Sequence, residues 1–436
     1  MQLAALGPAT GLCDTFAYWF NFLSIVTTAH VARAVTVRKD EADAARGVGD
    51  GVVVAAALGA CSSAVLLSPL GSIILAAFCG AGGGASAAYF PAALAYTRIR
   101  ALGLVPSLTT TVYQSACLAR HDTSKPLLAV ALASVFNLAG DVILVRGAGM
   151  GAAGAAWATV AAQVVACLAL WRNENKHTLA AVPAAVPAAA PVGRARSVAD
   201  RVAGSAAFVK QCMSPATALA GKCLVVMMLS ATASAAGAIG LAAHQVTQSV
   251  NCLFTPFGEA LSMTAQSVLP GQNAAAAAVN SKKLTPSARR LAKSLLVTAV
   301  GLGAVNACAA GVIPLLASAA FTTDAAVAGL LAALAPWMMG CLLLHALSTT
   351  LEGLLFTTGD GDFLGRLYPI NSAVMVSVFI ALRRRGAPLH ALWSAMAAYN
   401  AVRIGQFGLR LALNQREAIP PPPPPQDGGQ GTICAA

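Results

Sequence analysis

Charge is scarce in this chain: Asp, Glu, Lys and Arg make up 10% of its 436 residues, where a soluble domain carries roughly 25%. So few charges cannot solvate a surface of this size, which excludes an ordinary water-soluble globule. Aromatic residues are also few, at 6%, and no basic run is interleaved with them. A net charge of +12 therefore does not point to nucleic acid. The eleven cysteines stand singly from Cys13 to Cys434 with no C-x-x-C pair, a pattern of small packing residues rather than of disulfides or thiolate sites. The six histidines are equally dispersed, so no metal site is expected, and nothing calls for a cofactor. No D-D-x-x-D cluster occurs in any apolar stretch, which leaves an intramembrane prenyl- or acyltransferase without its paired acids. The opening residues lack a basic n-region and a cleavage pattern, so they are not expected to be a signal or transit peptide.

What the chain has in abundance is apolar length. Hydrophobic residues make up 57% and the mean hydropathy is +0.71. About 20 apolar residues cross a bilayer, and eleven stretches qualify, near 10–32, 52–79, 88–118, 127–146, 150–171, 206–233, 244–270, 288–317, 325–357, 364–383 and 388–413. They are too long for strands and show no period-two alternation. The expected fold is an all-α integral membrane protein surrounded by lipid, and a monomer.

The chain also repeats itself. Leu3-Ala4-Ala5 returns as Leu241-Ala242-Ala243, Phe16 as Phe254, Leu23-Ser24 as Leu261-Ser262 and Asp122 as Asp360, all at an offset of 238. The repeated segments are spans one and seven, six crossings apart, so the halves run parallel about an axis along the membrane normal. Two pseudo-symmetric bundles follow: an N-lobe over 1–172, a solvated linker over 173–205 containing Pro183, Pro187 and Pro191, a C-lobe over 206–414, and a disordered tail over 415–436 with Pro420 to Pro425. The second copy has an apolar stretch before its repeat and the first has none, so a helix is expected to be missing before Met1. Twenty of the 28 Lys and Arg fall in the loops on one side of this topology or in the span ends beside them, which orients that side to the cytoplasm or to an organelle's matrix. The triplet Arg383-Arg384-Arg385 lies on the other side and has no account in the sequence.

Ionisable groups inside spans are costly and each invites a functional reading. Asn137 and Asp141 lie four residues apart, on one helix face, and together suit either a proton or Na⁺ site or an interhelical hydrogen bond. Glu259 shares a polar stripe with Ser262, Thr264 and Gln266, which fits a water-filled cavity or a polar interface equally. Glu352 follows Ser348, Thr349 and Thr350, and maps by the offset onto Gln114. Lys222 either contacts an anionic substrate or pairs with one of these acids. Asp14 is near the start of its span and suits an interfacial position.

Several stretches resemble the multidrug and toxic compound extrusion (MATE) family, in particular its plant plastid-type branch and the bacterial DNA-damage-inducible relatives. They are AALGPATGLCD with FNFLSIVTT, YTRIRALGL, HDTSKPL, NLAGDVIL with GMGAAGAAWATVAAQ, LAAHQVTQSVNCLFTPFGEALSMTAQSVLPG and LEGLLFTTGDGDFL, in the family's order over about residues 2–415. The resemblance implies two lobes around a central cleft and export of small organic compounds by alternating access, in exchange for H⁺ or Na⁺. Asn137 and Asp141 match the family's N-lobe cation motif, Glu352 an acid of its tenth helix, and Lys222 a basic residue of this branch. With Glu259 and Gln266, Lys222 and Glu352 make up the expected substrate cleft. The chain departs from the family in lacking its first helix and in carrying Arg120 before a modified HDTSKPL loop. The resemblance also implies a plastid envelope, with the plasma membrane as the alternative. Other readings are a truncated, inactive product and a lipid flippase of the same architecture, whose cleft would be lined with many Lys and Arg.

Overall fold

The computed structural model describes residues 2–78, 84–180, 198–278, 281–316 and 324–416, and every regular element among them is helical. In chain order these are α1 (Gln2–Trp19), α2 (Phe22–Arg33), α3 (Glu41–Leu67), α4 (Pro69–Phe78), α5 (Gly84–Ala101), α6 (Leu104–Ala119), α7 (Ser124–Gly140), α8 (Gly151–Ala180), α9 (Val198–Ala233), α10 (Gly237–Gln272), α11 (Ala274–Ala278), α12 (Pro286–Leu316), α13 (Ala325–Thr357), α14 (Gly361–Arg384) and α15 (Leu389–Asn414). Wider π-helical turns, Ala34–Arg38 and Asp141–Gly147, prolong α2 and α7. Among the described residues, eight helical rods are long and apolar enough to cross a membrane. Of the other expected spans, α5 and α6 are divided at 102–103, and α10 and α15 carry more polar side chains.

Three expected boundaries are corrected. The loop expected up to residue 51 is helical from Glu41, because the Asp40 carboxylate accepts the Asp43 amide at 2.8 Å and Glu41 and Asp43 suit a helix's positive first turn. The linker expected at 173–205 is helical at both ends, with α8 running to Ala180 and α9 starting at Val198; its prolines lie outside the described residues. So does the proline run of the tail.

The offset of 238 carries over into the helices: α8 and α15 begin at Gly151 and Leu389, and α6 and α13 end at Ala119 and Thr357. Helices α1–α8 form a first bundle and α9–α15 a second, joined where α2 meets α9 and α10 and where α3 meets α9. One pairing breaks the symmetry. Helix α14 packs along α9, whereas its repeat-mate α7 packs along α8 and leaves Leu127, Val135, Leu138 and Ile143 exposed. Apolar side chains outside and small residues inside are what a lipid environment selects. The α10–α13 contact depends on such residues: a Cβ on Gly353 would lie 2.7 Å from the Ser262 carbonyl oxygen. Gly353→Val is expected to cost about 1–3 kcal/mol by overpacking, read as a lower melting temperature of the purified protein.

Loops expected on the basic side do meet at one end. Arg120 grips Glu174 of α8 with two bonds of 3.0 and 3.1 Å and reaches Glu41 of α3 at 3.3 Å, so the departure from the family loop is absorbed by a local ion-pair network. In the repeat-related loop, buried Asp360, the counterpart of Asp122, accepts Lys282 at 2.7 Å, Arg410 at 2.8 Å and the Asn414 amide, tying the segment before α12 to the end of α15. Burial alone would raise the Asp360 carboxyl, but these bonds outweigh it and hold the group below the usual carboxylate range. A depressed folded-state value makes this stabilisation complete above the unfolded value of about 4 and lost as pH falls through the folded one. Asp360→Asn is therefore expected to destabilise by about 1–3 kcal/mol at pH 7, with parent and variant melting curves converging below about pH 4. At the opposite end, Arg383 donates to the Ala231 carbonyl at 3.4 Å. Arg383 and Arg384 occupy the last turn of α14, where cations complement the negative ends of α14 and α9. That gives Arg383 and Arg384 of the triplet a local role.

Candidate functional site

Two polar places lie within the bundles. The first is an open chamber of about 330 Å³ among α6, α7 and α8, lined by Ser107, Thr110, Gln114, Asn137, Thr159 and Gln163, among others, with exposed Val130 and Ser134 at its mouth. Thr110 and Thr159 each donate to the carbonyl four residues back, at 2.6 and 2.9 Å, which leaves their oxygen lone pairs available. The Oδ1 of Asn137 and the Oε1 of Gln163 have no accessible surface and no hydrogen-bond partner, and the same holds for Oδ1 of Asp141. Buried polar atoms are ordinarily paired, so three orphaned acceptors in one bundle stand out. Gly103 makes room for one of them, since a Cβ there would fall 2.0 Å from Gln163 Oε1. Asp141 opens the π-helical turn of α7, its amide donating to the carbonyls of Asn137 and Leu138. Such turns recur at functional sites because they offset side chains from the regular register. No Lys or Arg among the described residues lies within ion-pair distance of Asp141.

The second place is a cleft of about 460 Å³ between α1 and the second bundle, lined by Asp14, Tyr18, Lys222, Glu259, His345 and Arg403, among others. Its wall comes from the middle of the spans and from the half away from the basic loops. At the basic end α2 lies against α9 and α10 and Arg33 donates to the Thr357 carbonyl at 3.1 Å, beside a cavity of about 580 Å³ lined by His30, Arg33, Arg38 and Lys282, among others. Tyr18 donates to Glu259 across the cleft at 3.4 Å. Asp14 is paired with Arg100 at 3.4 Å. Behind the wall, Glu352 is only 3% exposed and fully engaged. Lys222 Nζ lies 2.7 Å from Oε1, while Oε2 accepts Arg403 at 3.0 Å and the Tyr368 hydroxyl at 2.8 Å. Arg403 also donates to Asn400 Oδ1 at 3.1 Å and to Tyr368, and its guanidinium stacks 5.2–5.5 Å from the rings of Tyr368, Tyr399 and Phe407.

The structure thus brings Lys222, Glu259 and Glu352 to one place and lines the other with Asn137, whereas Asp141, one turn further along the same helical rod, is not among the residues that line it. Gln266 belongs to neither. Two helical turns beyond Glu259 on α10, it is buried and donates to Ser262 of its own helix at 3.3 Å. Of the two readings of Lys222, the internal ion pair is the one formed. Arg403 was not singled out in the sequence, although an arginine inside an apolar span is itself a signal that a buried acid has a further partner. Tyr368 and Gln163 gave no signal of their own, being common residues in apolar helices.

Two parallel helical bundles around a polar cleft define a membrane transporter built by duplication. No family model matches the chain. It is 30% identical over 417 residues to Protein DETOXIFICATION 47, chloroplastic, of Arabidopsis thaliana, a match covering 94% of this chain and 71% of that one. With Protein DETOXIFICATION 44, chloroplastic, of the same plant it shares 27% over 423 residues, covering 92% and 74%. Among solved structures, an outward-facing multidrug resistance MATE family transporter of the MOP superfamily superposes with a TM-score of 0.76 at 16% identity, over 95% of this chain and 89% of that one. A MOP superfamily transporter from Pyrococcus furiosus, described as having a binding pocket of reverse polarity, gives 0.72 at 17%, with the same coverage. The chain belongs to the MATE family of membrane transporters.

Proposed function

We propose that this transporter exports small organic compounds by antiport against H⁺ or Na⁺, with the cation held at Asp141 and Asn137. The observation that carries the reading is a group of unpaired acceptor oxygens in the first bundle, one carboxylate oxygen of Asp141 and the amide oxygens of Asn137 and Gln163, each inaccessible although its residue is only half-buried. Such a set is under-satisfied until a proton or a metal cation arrives. Binding would neutralise Asp141 at the start of a π-helical turn, where a change in charge alters helix packing most readily. The substrate would occupy the cleft, whose mostly apolar wall carries a few polar groups, as small-molecule sites do. Alternating access would then rock one bundle against the other about their contact at α2, α9 and α10. The cleft's two cations are both spent on Glu352, which favours this reading over a flippase that binds lipid head groups. The chloroplastic names of both plant relatives support a plastid envelope location with the basic side facing the stroma. The test is uptake of a small-molecule panel into proteoliposomes under an imposed pH or Na⁺ gradient; uptake indifferent to both gradients would dismiss the coupling.

A further inference from the structure

The offset of 238 superimposes the two polar places, which separate inspection would treat as unrelated. Ser107, Thr111 and Gln114 of the first-bundle chamber map onto His345, Thr349 and Glu352, and Val130 and Ala162 map onto Tyr368 and Asn400. The chamber wall and the Glu352 cluster therefore occupy repeat-related positions, among α6, α7 and α8 in the first bundle and α13, α14 and α15 in the second, while Asn137, Asp141 and Gln163 map onto Met375, Phe379 and Ala401, which bring no cation ligand. Their contents are opposite. The first copy has neutral Gln114 in place of Glu352, Val165 in place of Arg403, a void of about 330 Å³ and acceptor oxygens without donors. The second copy holds its own cation. The Arg403 guanidinium is 3% exposed, bonded to Glu352 and Asn400 and caged by three aromatic rings. Lys222 takes the remaining oxygen of the same carboxylate.

We propose that Arg403 is a tethered substitute for the exchangeable cation, so that the second-bundle site is permanently loaded and the chain carries a single coupling cation, in the first bundle. A further cation approaching Glu352 would meet two fixed positive charges in a low-dielectric setting, where like charges repel strongly, and no free carboxylate oxygen. The first-bundle site is free of such competition. Its amide oxygens, Gln163 included, add ligands that a hard cation uses. Arg403 thereby acts as a positioning residue that fixes the coupling stoichiometry. This inference rests on the reading of Asp141 given above.

The test is a count of sites on the purified full chain in nanodiscs, by equilibrium binding of ²²Na⁺ and, in parallel, by proton release followed with a pH indicator. The parent is expected to take one cation per chain and Asp141→Asn none. Arg403→Gln is expected to expose the second site and raise the count from one to two, and Arg403→Lys, which keeps a tethered charge, to restore one. Two cations in the parent, with Asp141→Asn removing just one of them, would overturn the proposal and leave the first-bundle reading standing. A single cation that survives Asp141→Asn would overturn that reading and the proposal with it. Should Arg403→Gln not fold, the parent and Asp141→Asn counts still decide.

Discussion

Asp141→Asn is expected to lower gradient-driven transport in proteoliposomes by about tenfold or more, the kinetic equivalent of losing one charge-dependent step of about 1.4 kcal/mol or larger. The substitution is nearly isosteric, so the packing of α7 on α8 survives and the melting temperature of the purified protein should stay close to that of the parent. Asparagine keeps an acceptor oxygen but no ionisable one. Substrate counterflow, which needs binding and rocking but no net cation movement, is expected to be far less affected than gradient-driven uptake. A variant that loses both equally would place Asp141 in folding or substrate contact instead.

Glu352→Ala is expected to have the largest effect on stability. The carboxylate is shared by Lys222 and Arg403, at 2.7 and 3.0 Å, and removing it leaves two cations facing each other without an anion. Breaking a buried pair costs about 3–5 kcal/mol because the remaining charge is uncompensated, and here two charges remain. Arg403 retains Asn400 and its aromatic cage, so the loss falls more heavily on Lys222, whose one ion-pair partner among the described residues is Glu352. Glu352→Gln, which keeps a hydrogen-bond acceptor, should fall between alanine and the parent. Fluorescence-detected melting of the detergent-solubilised protein orders the three.

Much of the architecture was legible in the residues because the bilayer imposes it. Apolar length sets the spans, basic loops set their orientation, and a fixed offset relates the halves. Helix ends were less legible. The start of α3 at Glu41 depends on a capping bond from Asp40, and charged residues that read as loop turn out to be the favourable first turn of a helix. Residues with an ionisable group in a span announced themselves, as Asp141, Glu352 and Lys222 did. Who pairs with whom did not, since Lys222, Glu352 and Arg403 come from α9, α13 and α15 and only packing decides that they meet. Gln266 shows the opposite limit: a polar stripe on α10 cannot tell which of its members faces the cleft and which faces a neighbouring helix. Gln163 was invisible because its interest lies in a missing partner, which is a property of the folded bundle.

The central claim is cation antiport through the first bundle, and the most direct measurement follows both fluxes in the same vesicles. Proteoliposomes loaded with a transported compound are placed in compound-free buffer while internal pH and Na⁺ are recorded. The account predicts that one cation species enters as the compound leaves, in fixed ratio, and that Asp141→Asn abolishes the cation entry. Efflux of the compound with no counter-movement of H⁺ or Na⁺, or cation entry undiminished in Asp141→Asn, would contradict it.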